Sequence, residues 1–215
     1  VIGFDQEQVR FYSGPASGFG DAQVNAVIAR GALGASDLAE GLREAGRVAR
    51  SGSRVVLVSD GIATAGETGG LALGVAAAGL GRIDAIVAEG ASDGAMLRAL
   101  TSSAPGSTGV VVDGAQGPEE LVARLGAPVL HDVLVEVPGS RWSWPRQLDG
   151  VQAGDAVLVY AELDEGAPLV VRFKGPLVEQ SVATETVARP LLERAWRGAQ
   201  LRELVAEHDR LAEAD

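Results

Sequence analysis

Arg54-Val55-Val56-Leu57-Val58-Ser59-Asp60-Gly61 is the stretch on which the reading of this chain turns. An apolar, β-branched run of this length reads as a buried strand, of the kind found in parallel sheets covered on both faces. It stops abruptly at an acid followed by glycine. Open α/β sheets bind ligands at the carboxyl ends of their strands, so Asp60 is expected where a carboxylate can hold a cation. Asp-Gly also makes a turn with no ligand at all, and on these residues alone both readings stand.

Outward from this strand, strands and helices alternate. Residues 1–4 and 8–12 read as a hairpin turned by Asp5-Gln6-Glu7, and residues 13–20 as a Gly/Ser/Pro loop. Helical spacing follows at 21–29, then again from Leu38 to about Arg50, with Leu38, Leu42 and Ala45 on one face. Beyond Asp60 the pattern predicts a glycine-weakened helix over 67–79, a strand over 83–88 and a helix capped by Ser92 or Asp93. A strand over 109–113 and a helix opened by Pro118, Glu119 and Glu120 follow. Such alternation implies parallel βαβ units. After residue 127 the pattern changes to strand-like runs at 129–137, 156–163, 168–173 and 177–187, an antiparallel β lobe. Residues 190–211 read as an amphipathic helix with Leu192, Ala195, Trp196, Ala199, Leu204, Val205 and Leu211 near one stripe. The expected divisions are 1–127, 128–187 and 188–215.

Composition narrows the function classes. The chain has 215 residues, 47% of them hydrophobic, enough to bury a core. Its formal charge is −11, and Lys174 is its only lysine. Nucleic-acid binders need clustered positive charge, and anionic membranes attract basic segments; this chain offers neither. With no cysteine, thiolate catalysis and Cys-based zinc sites are excluded. No Gly-x-Gly-x-x-Gly or P-loop follows a strand. His131 and His208, the only histidines, form no catalytic or metal-spaced set and are read as structural. Trp142, Trp144 and Trp196 are read as packing residues rather than a ligand platform. A start at Val1, directly in a strand-like run, suggests a processed product or a piece of something longer.

Two polar features fall where strand ends meet helix starts: Asp60-Gly61, and Ala35-Ser36-Asp37-Leu38. A hydroxyl and a carboxylate from neighbouring loops are hard oxygen donors suited to Mg²⁺. Serine before a helix is equally a favoured N-cap. Asp37 is left out of the metal set because it can cap the helix itself. Thr64 and Glu67 follow Asp60 in a loop read as solvated.

Here the chain resembles the von Willebrand factor A domain. Gly34-Ala35-Ser36-Asp37-Leu38 is similar to that family's Gly-Gly-Thr-Asp-Leu segment, with Ser36 for threonine, and Ser59-Asp60-Gly61 to its Thr-Asp-Gly. Three later stretches resemble inter-alpha-trypsin-inhibitor heavy-chain-like proteins, which carry a VIT domain ahead of the A domain. They are Ala127-Pro128-Val129-Leu130-His131-Asp132-Val133, Trp144-Pro145-Arg146-Gln147-Leu148, and Ala195-Trp196-Arg197 through Leu204. The resemblance implies a Rossmann-like parallel sheet with flanking helices, a partial A domain, then an antiparallel β-sandwich lobe and a C-terminal helix. It further implies a metal-ion-dependent adhesion site in which Ser36 and Asp60 hold Mg²⁺ (or Ca²⁺ or Mn²⁺). The family's Asp-x-Ser-x-Ser loop is missing from these residues, so a preceding segment or a second chain is expected to complete the site. The partner expected is a protein presenting an acidic residue, at the cell envelope or exterior. The alternatives are a structural subunit with a degenerate metal site, or a phosphoester-hydrolysing enzyme using Asp60. The last lacks a phosphate-cradling loop and a second acid two residues after Asp60.

Overall fold

A computed structural model describes residues 1–50, 52–88, 90–103, 108–174, 178–182 and 190–212. The chain divides into two compact units, Val1–Val129 and Leu130–Asp215. It is a mixed α/β protein: a three-stranded parallel sheet flanked by helices, antiparallel sheets, and a C-terminal helix.

The first unit opens with β1 (Ile2–Phe4) and β2 (Gln8–Arg10), antiparallel, with Ile2 opposite Arg10 and Phe4 opposite Gln8. Asp5 shapes the turn by accepting the Glu7 amide at 2.8 Å. That amide and the Arg30 guanidinium hold the Asp5 carboxyl below the usual carboxylate range. After a short 3₁₀ turn at Ala16–Gly18 come α1 (Asp21–Arg30) and α2 (Leu38–Val48). Then follow β3 (Arg54–Ser59), α3 (Gly70–Ala77), β4 (Arg82–Val87), α4 (Gly94–Thr101), β5 (Val111–Asp113) and α5 (Pro118–Gly126). The sheet order is β3-β4-β5, all parallel, with Arg54 beside Arg82, Ser59 beside Val87 and Ala85 beside Val111.

Leu38 and Leu42 of α2, Leu57 of β3, Leu73 of α3, Ile83 of β4 and Leu97 and Leu100 of α4 form one core, against which Phe4 of the hairpin packs. Each fully buried side chain of this size contributes about 1.5–3 kcal/mol. One acid lies among them. Asp84 is fully buried and accepts from Arg54 Nε, from Arg82 Nε and Nη2, and from the Val110 amide at 2.9 Å. Burial pushes its carboxyl up, but the bonds from Arg82, Arg54 and Val110 outweigh this and hold it below the ordinary value. Arg54 Nη2 also reaches the Leu125 carbonyl at the end of α5. One carboxylate therefore ties three strands and, through Arg54, a helix.

The second unit contains β6 (Val133–Glu136), β7 (Trp142–Trp144), β8 (Gln147–Leu148), β9 (Tyr160–Glu162), β10 (Leu169–Lys174), β11 (Val178–Val182) and α6 (Pro190–Ala212). Strands β11-β10-β6-β8 make an antiparallel sheet, and β7-β9 a separate antiparallel pair. Lys174 Nζ bonds Glu136 across that sheet. Trp142 meets Trp196 of α6 edge-on, its Nε1 donates to Glu203, and Arg202 lies 5.2 Å from the Trp144 ring centre.

Several boundaries differ from expectation. The helix expected over 67–79 begins only at Gly70, because its opening residues are taken into a loop turned by Gly66 (φ 65°). Helix α2 ends at Val48 rather than about Arg50. Strands β7 and β8 arise where no strand was expected. Of the strand expected over 177–187, residues 177 and 183–187 lie outside the described residues. On α6 the apolar stripe is only partly covered: Ala199 is buried, whereas Leu192, Leu204 and Val205 are exposed; the side chain of Leu211 lies outside the described residues. His131 and His208, read as structural, are both exposed.

Candidate functional site

Asp60 follows the last residue of β3, at the carboxyl end of the parallel strands, as the sequence predicted. Its local geometry comes from two neighbours. Asp60 Oδ1 accepts the Ile62 amide at 2.9 Å, and Ser59 Oγ accepts the Gly61 amide at 3.0 Å. The Asp60 carbonyl accepts the Asp93 amide at 2.8 Å, so the loop entering α4 is fastened to the end of β3. Gly61 is required here. Its φ is 78°, and a Cβ would stand 2.7 Å from Leu97 and 2.8 Å from the Asp93 carbonyl. Asp60 Oδ2 takes part in no hydrogen bond among the described residues.

Ser36 is the residue before the cap of α2, not the cap. Asp37 is the N-cap, its Oδ1 accepting the Glu40 amide at 2.9 Å. The capping role that competed for Ser36 therefore falls to Asp37, and the Ser36 hydroxyl is left out of it. The Ser36 backbone has another partner. Its amide donates to Thr64 Oγ1 at 2.8 Å, and its carbonyl accepts the amides of Thr64 (3.1 Å) and Ala65 (3.2 Å). Three bonds thus join the loop entering α2 to the loop leaving Asp60. Gly66 permits the join: a Cβ there would run into the Asp37 carboxylate.

Thr64 is thus a latch rather than a free loop residue, and sequence alone did not give it that role. Glu67 is exposed, as expected, and pairs with Arg43 of α2. Arg43 and Arg47 also hold Glu40, whose carboxyl is lowered, first by the Arg47 bond. The Glu40 pairs lie within α2, and the Arg43–Glu67 pair keeps α2 against the loop that follows Asp60. Asp5 and Asp84 were likewise missed as organising groups. The available signal for Asp84 was an acid in the middle of the apolar run Ile83-Asp84-Ala85, which only a buried pairing accommodates.

Beside Ser36 lies a cleft of about 190 Å³, with Phe4, Phe11, Val27, Arg30, Leu33 and Ser36 among its lining residues. The expected donor set, a serine hydroxyl and one carboxylate, consists of oxygen ligands of the type Mg²⁺ accepts. It is also sparse. Among the described residues, no three or more His, Cys, Asp or Glu side chains gather into a metal-holding group. Magnesium needs six oxygens, so these two side chains could supply only a minority of its shell. No described helix is long and apolar enough to cross a membrane. The chain matches no known family model, and no curated protein matches it.

Proposed function

We propose that this chain is a non-enzymatic protein-binding module of the von Willebrand factor A type. On this reading residues 1–127 form a partial, Rossmann-like A domain, and the antiparallel strands after them a β-sandwich lobe. Ser36 and Asp60 are the part of a metal-ion-dependent adhesion site that this chain supplies. A preceding segment or another chain supplies the rest, and an acidic side chain of a partner protein enters the open coordination position of Mg²⁺.

The observation that carries this reading is the latch between the Ser36 loop and the loop after Asp60. It makes two oxygen-bearing segments from different crossovers a single rim, while Asp37 relieves Ser36 of the capping role.

Manganese, a paramagnetic substitute for Mg²⁺, tests it. In an NMR titration of residues 1–215, Mn²⁺ broadens the amide signals of Ser36, Asp60 and Ile62 first and at millimolar levels, and Asp60→Asn removes the effect. Broadening that begins elsewhere, or that survives Asp60→Asn, refutes the assignment. Tight Mg²⁺ binding by the chain alone refutes the claim that the site needs completing.

A further inference from the structure

The stretch that leads into Ser36 has little to hold it. Residues 31–34 are exposed. Gly31 and Gly34 have positive φ (64° and 104°), and a Cβ at either would meet nothing within 4 Å. The Gly31 amide bonds the Ile28 carbonyl. After it, the next backbone group with a hydrogen bond among the described residues is the Ser36 amide, whose acceptor is the Thr64 hydroxyl. Beyond Ser36 the chain is fastened several times over. The Ser36 carbonyl accepts from Thr64 and Ala65, and the Asp37 amide donates to the Asp5 carbonyl at 2.9 Å. Peptide units are planar, so fixing the two units that flank a residue fixes its φ and ψ, and with them the direction of its Cα–Cβ bond. At Ser36 the following unit has three such bonds; the preceding unit has, among the described residues, only the one to Thr64 Oγ1. No hydrogen bond to the Ser36 hydroxyl is found among the described residues, so the backbone sets where it can point.

We infer that Thr64 is a positioning residue of the cation rim: its hydroxyl aims the Ser36 side chain, so that closing the latch and binding a divalent cation at Ser36 and Asp60 strengthen one another. The inference rests on the metal reading of those two residues. Thr64 follows Asp60 in one loop, whose first turn Asp60 closes itself through the Ile62 amide. A single short segment therefore carries the carboxylate and the group that orients its companion hydroxyl. Two protein oxygens fill only a minority of a magnesium shell, so their alignment in advance decides much of what they contribute. Linkage makes the effect mutual. The factor by which a closed latch tightens the cation is the factor by which the cation protects the latch from opening.

The test is an NMR titration of the full chain with Mn²⁺ in wild type, Thr64→Val and Thr64→Ser. Valine keeps the shape of threonine and lacks the acceptor; serine keeps the acceptor. Thr64 is exposed, so neither change disturbs the core. Losing one such hydrogen bond should raise the Mn²⁺ concentration that halves the Ser36 and Asp60 amide signals by about fivefold, with the signals of β4 unshifted. Thr64→Ser should restore the wild-type midpoint. Saturating Mg²⁺ should in turn slow hydrogen exchange of the wild-type Ser36 amide by a similar factor. A Thr64 that only stabilised the fold would lower the melting temperature and leave the Mn²⁺ midpoint where it was. An unchanged midpoint in Thr64→Val, or no recovery in Thr64→Ser, overturns the positioning role while the metal assignment stands. A wild-type chain whose Ser36 and Asp60 signals ignore Mn²⁺ overturns both.

Discussion

Asp84→Ala is expected to destabilise the first unit by about 3 kcal/mol, the low end of the 3–5 kcal/mol typical for breaking a buried ion pair. The geometry sets that end of the range. The arginines that lose their partner are not trapped, since the Arg54 and Arg82 side chains retain 42% and 24% of their exposure and can return to water. The Val110 amide cannot: Val110 is 1% exposed, and its donor, left unpaired, costs about 1–3 kcal/mol. The remainder is the lost attraction of one carboxylate to two guanidiniums in a partly dry site. Urea unfolding followed by far-ultraviolet circular dichroism measures the difference. The Asp84 carboxyl is depressed in the folded state, so its contribution is fully present above the ordinary carboxylate range. It is lost as the pH falls through the lower folded value. The gap between wild type and Asp84→Ala should therefore be constant near neutrality and narrow in strong acid. A difference under about 1 kcal/mol at neutral pH, or one that widens on acidification, would show that Asp84 does not tie the strands together as described.

The other expectations concern the rim. Thr64→Val removes the acceptor of the Ser36 amide; it should cost about 1 kcal/mol and raise hydrogen exchange at Ser36 and Ala65 while leaving that of β4 unchanged. Asp37→Ala deletes the cap of α2 and should cost about 1 kcal/mol, whereas Ser36→Ala should leave stability nearly unchanged; equal losses in thermal unfolding would return the cap to Ser36. Gly61→Ala sets a Cβ against the Asp93 carbonyl and forces φ out of its positive range. A loss of about 1–3 kcal/mol in denaturant unfolding is expected, and a neutral result would contradict the described turn.

Some of this architecture can be read directly from the residues. The run from Arg54 to Ser59 is apolar enough to announce a strand, and its abrupt end at Asp60 marks where the loop leaving that strand begins. Leu38 starts α2 as expected because the apolar face at Leu38 and Leu42 has helical period. Asp93 caps α4 and Pro118 opens α5, since local rules suffice there. What was not legible depends on partners distant in sequence. Thr64 has no local mark of its attachment to Ser36, 28 residues away. Asp37 rather than Ser36 caps the helix, a choice that the two adjacent cap-forming residues leave open in the sequence. Trp142-Ser143-Trp144 is too short to display a period, and becomes a strand only through pairing with Tyr160–Glu162. The exposed stripe of α6 fails for a complementary reason: helical spacing predicts a face, but not whether anything lies against it.

All three tryptophans belong to the second unit, and two of them meet where α6 lies beside β7. Indole emission is accordingly a reporter for that half of the polypeptide and is silent about the half that carries Ser36 and Asp60. A melting curve recorded by fluorescence follows the second unit alone, whereas one recorded by backbone dichroism follows both units. Coincident midpoints would mean the halves unfold as one cooperative system; separate midpoints would assign a stability to each.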